Sequence, residues 1–245
     1  MDLKLKDKVA LVTGAGSPVG FGRAIALTLA EEGCRVACAD LHLDWAEETA
    51  GLVRERGGEA IAVKVDVTDR AQVDAMVESV VQHFGRIDIV VNNAGASSED
   101  KPFMEKTEAD WDLDIKVNLY GQMHVAQAVI PYMAKQGYGR IINISGGQGV
   151  PMISTYGAAK AGVEAFTHAL ALEVAPLGII VNALMPGLAD TGLTVRAPRE
   201  LREGFVRASA LKRLCTPEDV APAVAFLASD RCSYMAGQCV RLEAS

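Results

Sequence analysis

A tyrosine and a lysine stand four residues apart, at Tyr156 and Lys160, in a stretch that predicts a helix. Residues with this spacing face the same side of a helix, so the phenol and the ammonium should lie together. A tyrosine is a weak base at neutral pH because its ordinary pKa is about 10, and a nearby ammonium should lower that pKa. The pair could therefore move the proton of a hydroxyl group while another reagent moves a hydride.

A hydroxyl that could stabilise charge on a substrate oxygen stands at Ser145, at the end of a predicted strand, and three glycines follow it within four residues. Two further hydroxyls, Ser154 and Thr155, precede the tyrosine, where the next helix needs an N-cap. We choose Ser145, because the carboxyl ends of parallel strands present reacting groups. The alternatives are that Ser154 or Thr155 takes the role, or that the site has no such hydroxyl.

Glycines are concentrated after the first predicted strand, where residues 13–22 read TGAGSPVGFG. Glycines let the backbone approach a pyrophosphate at the positive N-terminus of a helix. An ordinary strand-to-helix turn would not need so many. The residues expected to contact a dinucleotide here are Gly14, Gly16, Ser17, Gly20, Phe21 and Gly22.

Asp40 ends the second predicted strand, and Leu41 follows it. A carboxylate at this point can accept hydrogen bonds from the ribose diol of a dinucleotide. A 2′-phosphate would meet a like charge, and no lysine or arginine stands next to Asp40 in the sequence to offset it. We therefore expect NAD as the cofactor and NADP to be less favoured, although a turn or cap aspartate is the alternative interpretation.

Short apolar segments alternate with longer amphipathic ones along almost the whole chain. This alternation is typical of a doubly wound, Rossmann-type parallel sheet of about seven strands with helices on both faces, in one α/β domain over residues 1–245. Thr68-Asp69 and Thr216-Pro217 are helix start signals. Residues 188–213 break the alternation and are either a substrate lid or a solvated surface segment. The predicted strands are 9–13, 35–40, 60–65, 87–92, 140–145, 178–184 and 238–242, and the predicted helices are 23–32, 44–56, 70–83, 108–135, 156–174 and 217–228.

The composition excludes several classes of protein. Half of the 245 residues are hydrophobic and the net charge is -7, which argues against disorder, against nucleic acid and against an anionic membrane surface as the main partner. We expect no metal site, because the five cysteines form no CxxC pair and no histidine stands at zinc-ligand spacing. With neither a secretory signal nor a span in view, we expect a cytoplasmic protein.

In this order and spacing, the motifs resemble those of the short-chain dehydrogenase/reductase family over nearly the whole chain. They are Thr13-Gly14 with Gly20-Phe21-Gly22, Asp66-Val67, Asn92-Asn93-Ala94-Gly95, Val117-Asn118-Leu119, Ser145, Tyr156-Gly157-Ala158-Ala159-Lys160, and Pro186-Gly187 with Thr191.

The resemblance implies a role for each motif. Asp66 and Val67 would lie by the adenine, and Lys160 would hold the nicotinamide ribose. Asn118 would hold a water that links Lys160 to solvent. The family is mostly dimeric or tetrameric, which implies a homodimer or homotetramer. Residues Asn92, Asn93, Ala94 and Gly95 would support the cofactor and the central sheet, and Pro186, Gly187, Ala189 and Thr191 would touch the nicotinamide carboxamide.

Two departures from the family pattern stand out. Five residues separate Gly14 from Gly20, where the family has three between its first two glycines. The family's usual serine falls one place later, at Gly146, and the segment from there to the tyrosine is shorter here. The first departure leaves open which loop amides meet the pyrophosphate, and the second leaves open which hydroxyl serves the substrate.

The leading hypothesis is an enzyme that interconverts a secondary alcohol and a ketone with NAD, acting on a small molecule. Reduction of a 3-oxoacyl thioester is the alternative within enzymes, and a catalytically silent nucleotide-binding scaffold is the alternative outside them. Four arginines in the candidate lid suggest an anionic group on the substrate, or else a solvent-facing charged helix balanced by Glu200 and Glu203. They are Arg196, Arg199, Arg202 and Arg207.

Overall fold

The seven short apolar segments form one parallel sheet. A computed structural model of the chain describes residues 2–189 and 199–244, with only the backbone described at residue 201. The strand order is β3-β2-β1-β4-β5-β6-β7, which confirms the predicted doubly wound α/β fold. The strands are β1 (Val9–Thr13), β2 (Arg35–Asp40), β3 (Ala60–Lys64), β4 (Ile89–Asn92), β5 (Gly139–Ile144), β6 (Ile179–Pro186) and β7 (Cys239–Leu242).

Helices lie between the strands at nearly the predicted positions, and each side of the sheet has its own buried apolar cluster. Ile25 and Val224 belong to one cluster, and Val77 and Val129 belong to the other. The helices are α1 (Phe21–Glu31), α2 (Leu43–Glu55), α3 (Arg70–Phe84), α4 (Glu108–Ile115), α5 (Gly121–Gln136), α6 (Ser154–Val174), α7 (Arg199–Ala208) and α8 (Pro217–Ala228). Short 3-10 turns occupy Phe103–Glu105 and Ala175–Leu177.

The predicted helix over residues 108–135 is present as one helical run from Glu108 to Gln136. A π-helical turn, Lys116–Tyr120, lies inside it between α4 and α5 and was not predicted. Such a turn widens the helix by one residue and often lies at a functional site. It carries Asn118, which is fully buried.

The candidate lid is partly helical. Within it, Ala189 bridges to Cys215, and α7 forms a charged helix in which Arg199 and Arg207 both pair with Glu203. These two arginines are largely exposed, which agrees with the solvent-facing alternative. Arg196 lies outside the described residues.

No helix in the described ranges combines the length and the apolar character needed to cross a bilayer.

Candidate active site

Tyr156 and Lys160 lie in the first two turns of α6, which starts beside the carboxyl end of β5. The Lys160 Nζ is 5.7 Å from the centre of the Tyr156 ring, as the four-residue spacing predicts. The ammonium is buried and donates a hydrogen bond of 2.7 Å to the Ile144 carbonyl oxygen. A fixed lysine therefore stands beside a half-buried phenol.

Burial shifts both groups away from their charged forms. It raises the pKa of Tyr156 to about 12, with the charge of Asp114 adding to the effect, and it lowers the pKa of Lys160 to about 7. In the chain alone the pKa of the phenol therefore lies above its ordinary value, whereas the ammonium was expected to lower it. Loss of hydration disfavours the phenolate and is the larger of the two causes.

The Ser145 hydroxyl faces α6. It is buried, and it lies 3.0 Å from the Lys160 carbonyl oxygen and 2.9 Å from Glu164 Oε1, both of which are acceptors. A hydroxyl has one proton to donate, so it serves one of these acceptors at a time. To donate to a substrate oxygen, Ser145 would have to release both.

The loop between β5 and α6 is shaped by its glycines. Gly146, Gly147 and Gly149 have φ values of +139°, +65° and +72°, which side chains rarely adopt. A Cβ atom at Gly147 would lie 2.5 Å from Tyr156 Cε1, so the backbone there packs directly on the phenol ring. Gly146, where the family has its serine, offers no hydroxyl.

Neither candidate N-cap hydroxyl caps α6. The N-cap residue is Ile153, which has no side chain that could do so, and Ser154 is an exposed residue of the first turn. The expectation of a Ser154 or Thr155 cap was wrong because the helix begins at Ser154 itself. The Thr155 hydroxyl instead donates to the carboxylate of Asp114 on α4.

Asn118 connects the π-helical turn to the site. Its Nδ2 donates to the Ala96 and Asp114 carbonyl oxygens at 2.6 and 2.7 Å. Its Oδ1 is buried and has no hydrogen-bond partner among the described residues. A Cβ atom at Gly95 would lie 2.9 Å from this oxygen and 3.7 Å from Lys160 Nζ, so both groups flank the same point. An acceptor in this position fits a water bound between Asn118 and Lys160.

The glycine-rich loop has the close packing that a dinucleotide site needs. Gly14 has φ +64°, and a Cβ atom there would lie 2.8 Å from Ala94 Cα. A Cβ atom at Gly22 would lie 2.1 Å from the Gly14 carbonyl oxygen. The N-cap of α1 is Gly20, and no side chain caps this end of the helix. The arrangement of amides and small residues therefore fits a pyrophosphate.

Asp40 lies against this loop at the end of β2. Its Oδ2 accepts a 2.8 Å hydrogen bond from the Gly16 amide, and its Oδ1 accepts one of 3.1 Å from the His42 amide. A carboxylate can accept about four hydrogen bonds, so two positions remain for a ribose diol. Arg23, near the same loop, is already engaged by Glu48, Thr49 and the Gly16 carbonyl oxygen.

One cation near Asp40 is not apparent from the sequence. Lys64 is far from Asp40 in sequence, but the two residues are paired in register on β3 and β2. Lys64 is exposed. Its position bears on the choice between NAD and NADP, and only the register of the sheet reveals it.

The remaining predicted cofactor residues lie at the carboxyl edge of the sheet or beside it. The Asp66 carboxylate accepts hydrogen bonds from the Thr68 amide and hydroxyl, and Val67 packs under Gly121 of α5. Leu41 is half exposed beside Asp40. Asn92 donates to Asn143 on the neighbouring strand, which makes it a link between β4 and β5.

At the other end of the site, Pro186 ends β6 and the Gly187 amide donates to the Leu242 carbonyl oxygen. Thr191 lies outside the described residues. Back in the glycine loop, the Ser17 carbonyl oxygen accepts a hydrogen bond from the Gly20 amide, and Phe21 begins α1.

Comparison with known proteins agrees with this geometry. The family model described as enoyl-(acyl carrier protein) reductase matches residues 14–244. A 3-oxoacyl-[acyl-carrier-protein] reductase of Thermotoga maritima is 42% identical over 98% of both chains. The cis-4-hydroxycyclohexanecarboxylate dehydrogenase of Sinomonas cyclohexanicum is 38% identical over 94% of this chain and 93% of its own.

Solved structures give the same result. A putative short-chain alcohol dehydrogenase from Sinorhizobium meliloti superposes with a TM-score of 0.94 at 32% identity, over 100% of this chain and 98% of its own. The chain belongs to the short-chain dehydrogenase/reductase family. A hydroxysteroid dehydrogenase from Escherichia coli is similar at a TM-score of 0.90 and 30% identity, over 99% of this chain and 98% of that one. As a short-chain dehydrogenase/reductase, the protein is an oxidoreductase that uses a nicotinamide cofactor.

Two residues that build this short-chain dehydrogenase/reductase site have contacts that the sequence did not predict. The Asn93 side chain donates to the Thr13 and Gly14 carbonyl oxygens, so it ties the glycine loop to β4. Gln122 donates to the Ile144 carbonyl oxygen that Lys160 also uses. The family resemblance implied a supporting role for Asn93, whereas nothing in the spacing of Gln122 signals its contact.

Proposed function

We propose that this oxidoreductase interconverts a secondary alcohol and a ketone, with NAD as cofactor and Tyr156 as the group that moves the hydroxyl proton. The observation that carries the proposal is the pairing of Tyr156 with a buried, anchored Lys160 beside β5. When bound, the cofactor supplies or accepts the hydride. The protein positions the reactants and handles the proton.

Each polar residue has a separate part in this proposal. In reduction the Tyr156 hydroxyl gives its proton to the ketone oxygen, and in oxidation its phenolate takes the proton of the alcohol. Lys160 is held by the Ile144 carbonyl oxygen and keeps two N–H groups, one for the nicotinamide ribose and one for a water. The free Oδ1 of Asn118 accepts from a water that reaches Lys160. Ser145 donates to the substrate oxygen after it leaves its α6 acceptors.

The preference for NAD rests on Asp40. Its carboxylate is almost completely buried against the glycine loop, where a 2′-phosphate would be repelled in a poorly hydrated setting. Arg23 cannot offset the repulsion without leaving Glu48 and Thr49. We propose that all the residues predicted from the sequence to contact the dinucleotide, including Thr191, bind the cofactor.

Reduction of a 3-oxoacyl thioester is the second candidate, and the name of the Thermotoga maritima relative favours it. The Sinomonas cyclohexanicum relative is named for a hydroxycyclohexanecarboxylate, which favours the alcohol and is compatible with an acidic substrate. A silent scaffold would have no chemical need for both Tyr156 and Lys160.

The test measures turnover by the change in absorbance of the reduced nicotinamide cofactor. The protein is mixed with NAD and a panel of neutral and acidic secondary alcohols, and separately with NADH or NADPH and a 3-oxoacyl thioester. We expect turnover of an alcohol with NAD. Tyr156→Phe should lose at least about a hundredfold of that rate while NADH binding stays nearly unchanged. A loss of less than about tenfold, roughly 1.4 kcal/mol of barrier, would contradict the proton-transfer role.

We also propose a cytoplasmic homodimer or homotetramer, with a small molecule rather than nucleic acid or membrane as its partner. Leu172 on α6 and Tyr120 beside α5 are exposed apolar residues that a partner copy would cover. Light scattering should give a multiple of the 25.9 kDa chain mass, and a monomer mass at micromolar concentration would refute the oligomer.

A further inference from the structure

A fully buried carboxylate, Asp114, lies near the end of α4. Its Oδ1 accepts a 2.7 Å hydrogen bond from the Ser98 amide, and its Oδ2 accepts one of 2.9 Å from the Ser98 hydroxyl. The Thr155 hydroxyl donates to the same Oδ2. The carboxylate thus joins the loop after β4 to the first turn of α6.

A buried cation faces this carboxylate through one hydroxyl. Lys106 Nζ donates to the Ser98 hydroxyl oxygen at 2.7 Å and to the Glu99 carbonyl oxygen at 2.6 Å. Ser98 therefore accepts from Lys106 while it donates to Asp114. A buried charge needs partners of this kind, because isolation from water would otherwise be costly. The network is consequently a built feature and not an incidental contact.

The network reaches the residue before Tyr156 and the side chain of Asn118. Thr155 immediately precedes Tyr156, in a helix end that has no side-chain N-cap. The backbone oxygen of Asp114 accepts from Asn118 Nδ2. A single residue of α4 therefore holds both the start of α6 and the side chain of the π-helical turn.

We propose that Asp114 is a positioning residue for Tyr156, which it holds in place through the Thr155 hydroxyl while Ser98 and Lys106 hold Asp114. The proposal rests on the proposed role of Tyr156 in proton transfer. The backbone of Gly147 packs on the ring of Tyr156. The Asp114 network holds the first turn of α6, which carries that ring.

The charge of Asp114 has a second effect on Tyr156. It raises the pKa of the phenol, in addition to the larger effect of burial. The other titratable groups around this network are Lys106 and, on α6, Lys160. On α4 itself, Asp110 and Asp112 pair with Lys101 and Lys116 and so are already compensated. Neutralising Asp114 should therefore lower the pKa of Tyr156.

The kinetic test separates the tether from the charge. Thr155→Val removes the hydrogen bond but leaves the charge, Thr155→Ser restores the bond, and Asp114→Asn removes the charge together with one of the two acceptor oxygens. We expect Thr155→Val to lower kcat about tenfold with NADH affinity unchanged, and Thr155→Ser to recover most of the loss. Alcohol oxidation needs the phenolate, so Asp114→Asn should move the acidic limb of its pH profile to lower pH, while Thr155→Val leaves that limb in place.

A structural test does not depend on turnover. Hydrogen exchange of the amides at residues 154–160 should be faster in Thr155→Val than in the parent chain and in Thr155→Ser. Unchanged exchange would overturn the tether even if no substrate is found. Full activity and an unmoved limb in both Thr155→Val and Asp114→Asn would overturn the proposal while leaving the proposed function intact.

Discussion

Asp40 is the residue on which the choice of cofactor rests. Asp40→Asn keeps the shape of the side chain and removes its charge, so the ratio of NAD to NADP efficiency should fall by about tenfold or more, roughly 1.4 kcal/mol. Asp40→Ser with Leu41→Arg should shift the ratio further, because it adds a partner for the 2′-phosphate. The measurement is kcat/KM with each cofactor.

Lys64 supplies the matched control for this change. It is paired in register with Asp40, and Lys64→Ala should reduce only the residual use of NADP. If the ratio is unaltered in Asp40→Asn and altered in Lys64→Ala, the carboxylate does not face the ribose.

Ser145 and Ser154 make a second matched pair. A well-placed donor to the substrate oxygen contributes about a hundredfold or more to turnover, so Ser145→Ala should show that loss with NADH affinity intact. Ser154 is exposed and caps nothing, so Ser154→Ala should change neither rate nor thermal midpoint. Normal turnover in Ser145→Ala would favour a site without this hydroxyl, in which Ser145 only braces α6 through Glu164.

The sequence predicted where these residues stand but not where their side chains point. The place of Ser145 at the end of β5 followed from apolar patterning. Its hydroxyl faces α6 because Lys160 and Glu164 offer acceptors there, and those contacts depend on how the helix packs. The pairing of Lys64 with Asp40 was hidden for the same reason, since register is a property of the assembled sheet.

The elements themselves were largely predictable from pattern and caps. Asp69 caps α3 by accepting from the Ala71 and Gln72 amides, and Thr216 forms a capping box with Asp219 before α8, as the start signals indicated. The π-helical turn between α4 and α5 was not predictable, because the residues of such a turn have no distinct apolar period. Only the buried contacts of Asn118 show why the helix widens there.

The π-helical turn depends on Asn118. Its amide makes two buried hydrogen bonds, to the Ala96 and Asp114 carbonyl oxygens. Asn118→Ala removes both of these buried hydrogen bonds, so we expect a loss of about 2 kcal/mol in the free energy of unfolding, together with a large loss of turnover. Denaturant unfolding gives the first quantity. The exposed Lys116→Ala, in the same turn, should change neither by a comparable amount.

For the whole molecule, Lys160 couples activity to stability. Burial lowers its pKa from 10.5 to about 7, so between these pH values the unfolded chain binds a proton that the folded chain does not. The free energy of unfolding therefore rises with pH across this window. Lys160→Met lacks the effect and should be more stable than the parent at pH 6, on the order of a few kcal/mol, with the advantage shrinking towards pH 10.

Thermal midpoints at several pH values measure this difference. The exposed Lys135→Met serves as the control and should track the parent at every pH. If the stability advantage of Lys160→Met stays constant with pH, burial does not disfavour the charged form of Lys160. Loss of activity in the more stable variant would show that the lysine is kept for function.

Trp45, beside the glycine loop, gives the protein a built-in optical signal. The chain has two tryptophans, and Trp111 lies elsewhere, stacked on Phe103. Trp45 is partly exposed, and its Cβ would lie 2.6 Å from a Cβ atom at Gly16. The emission of an indole overlaps the absorption of reduced nicotinamide, so a dinucleotide in this loop should quench Trp45 by energy transfer. In Trp111→Phe that fluorescence would come from a single source, and the binding of a dinucleotide could be titrated in every variant without a substrate.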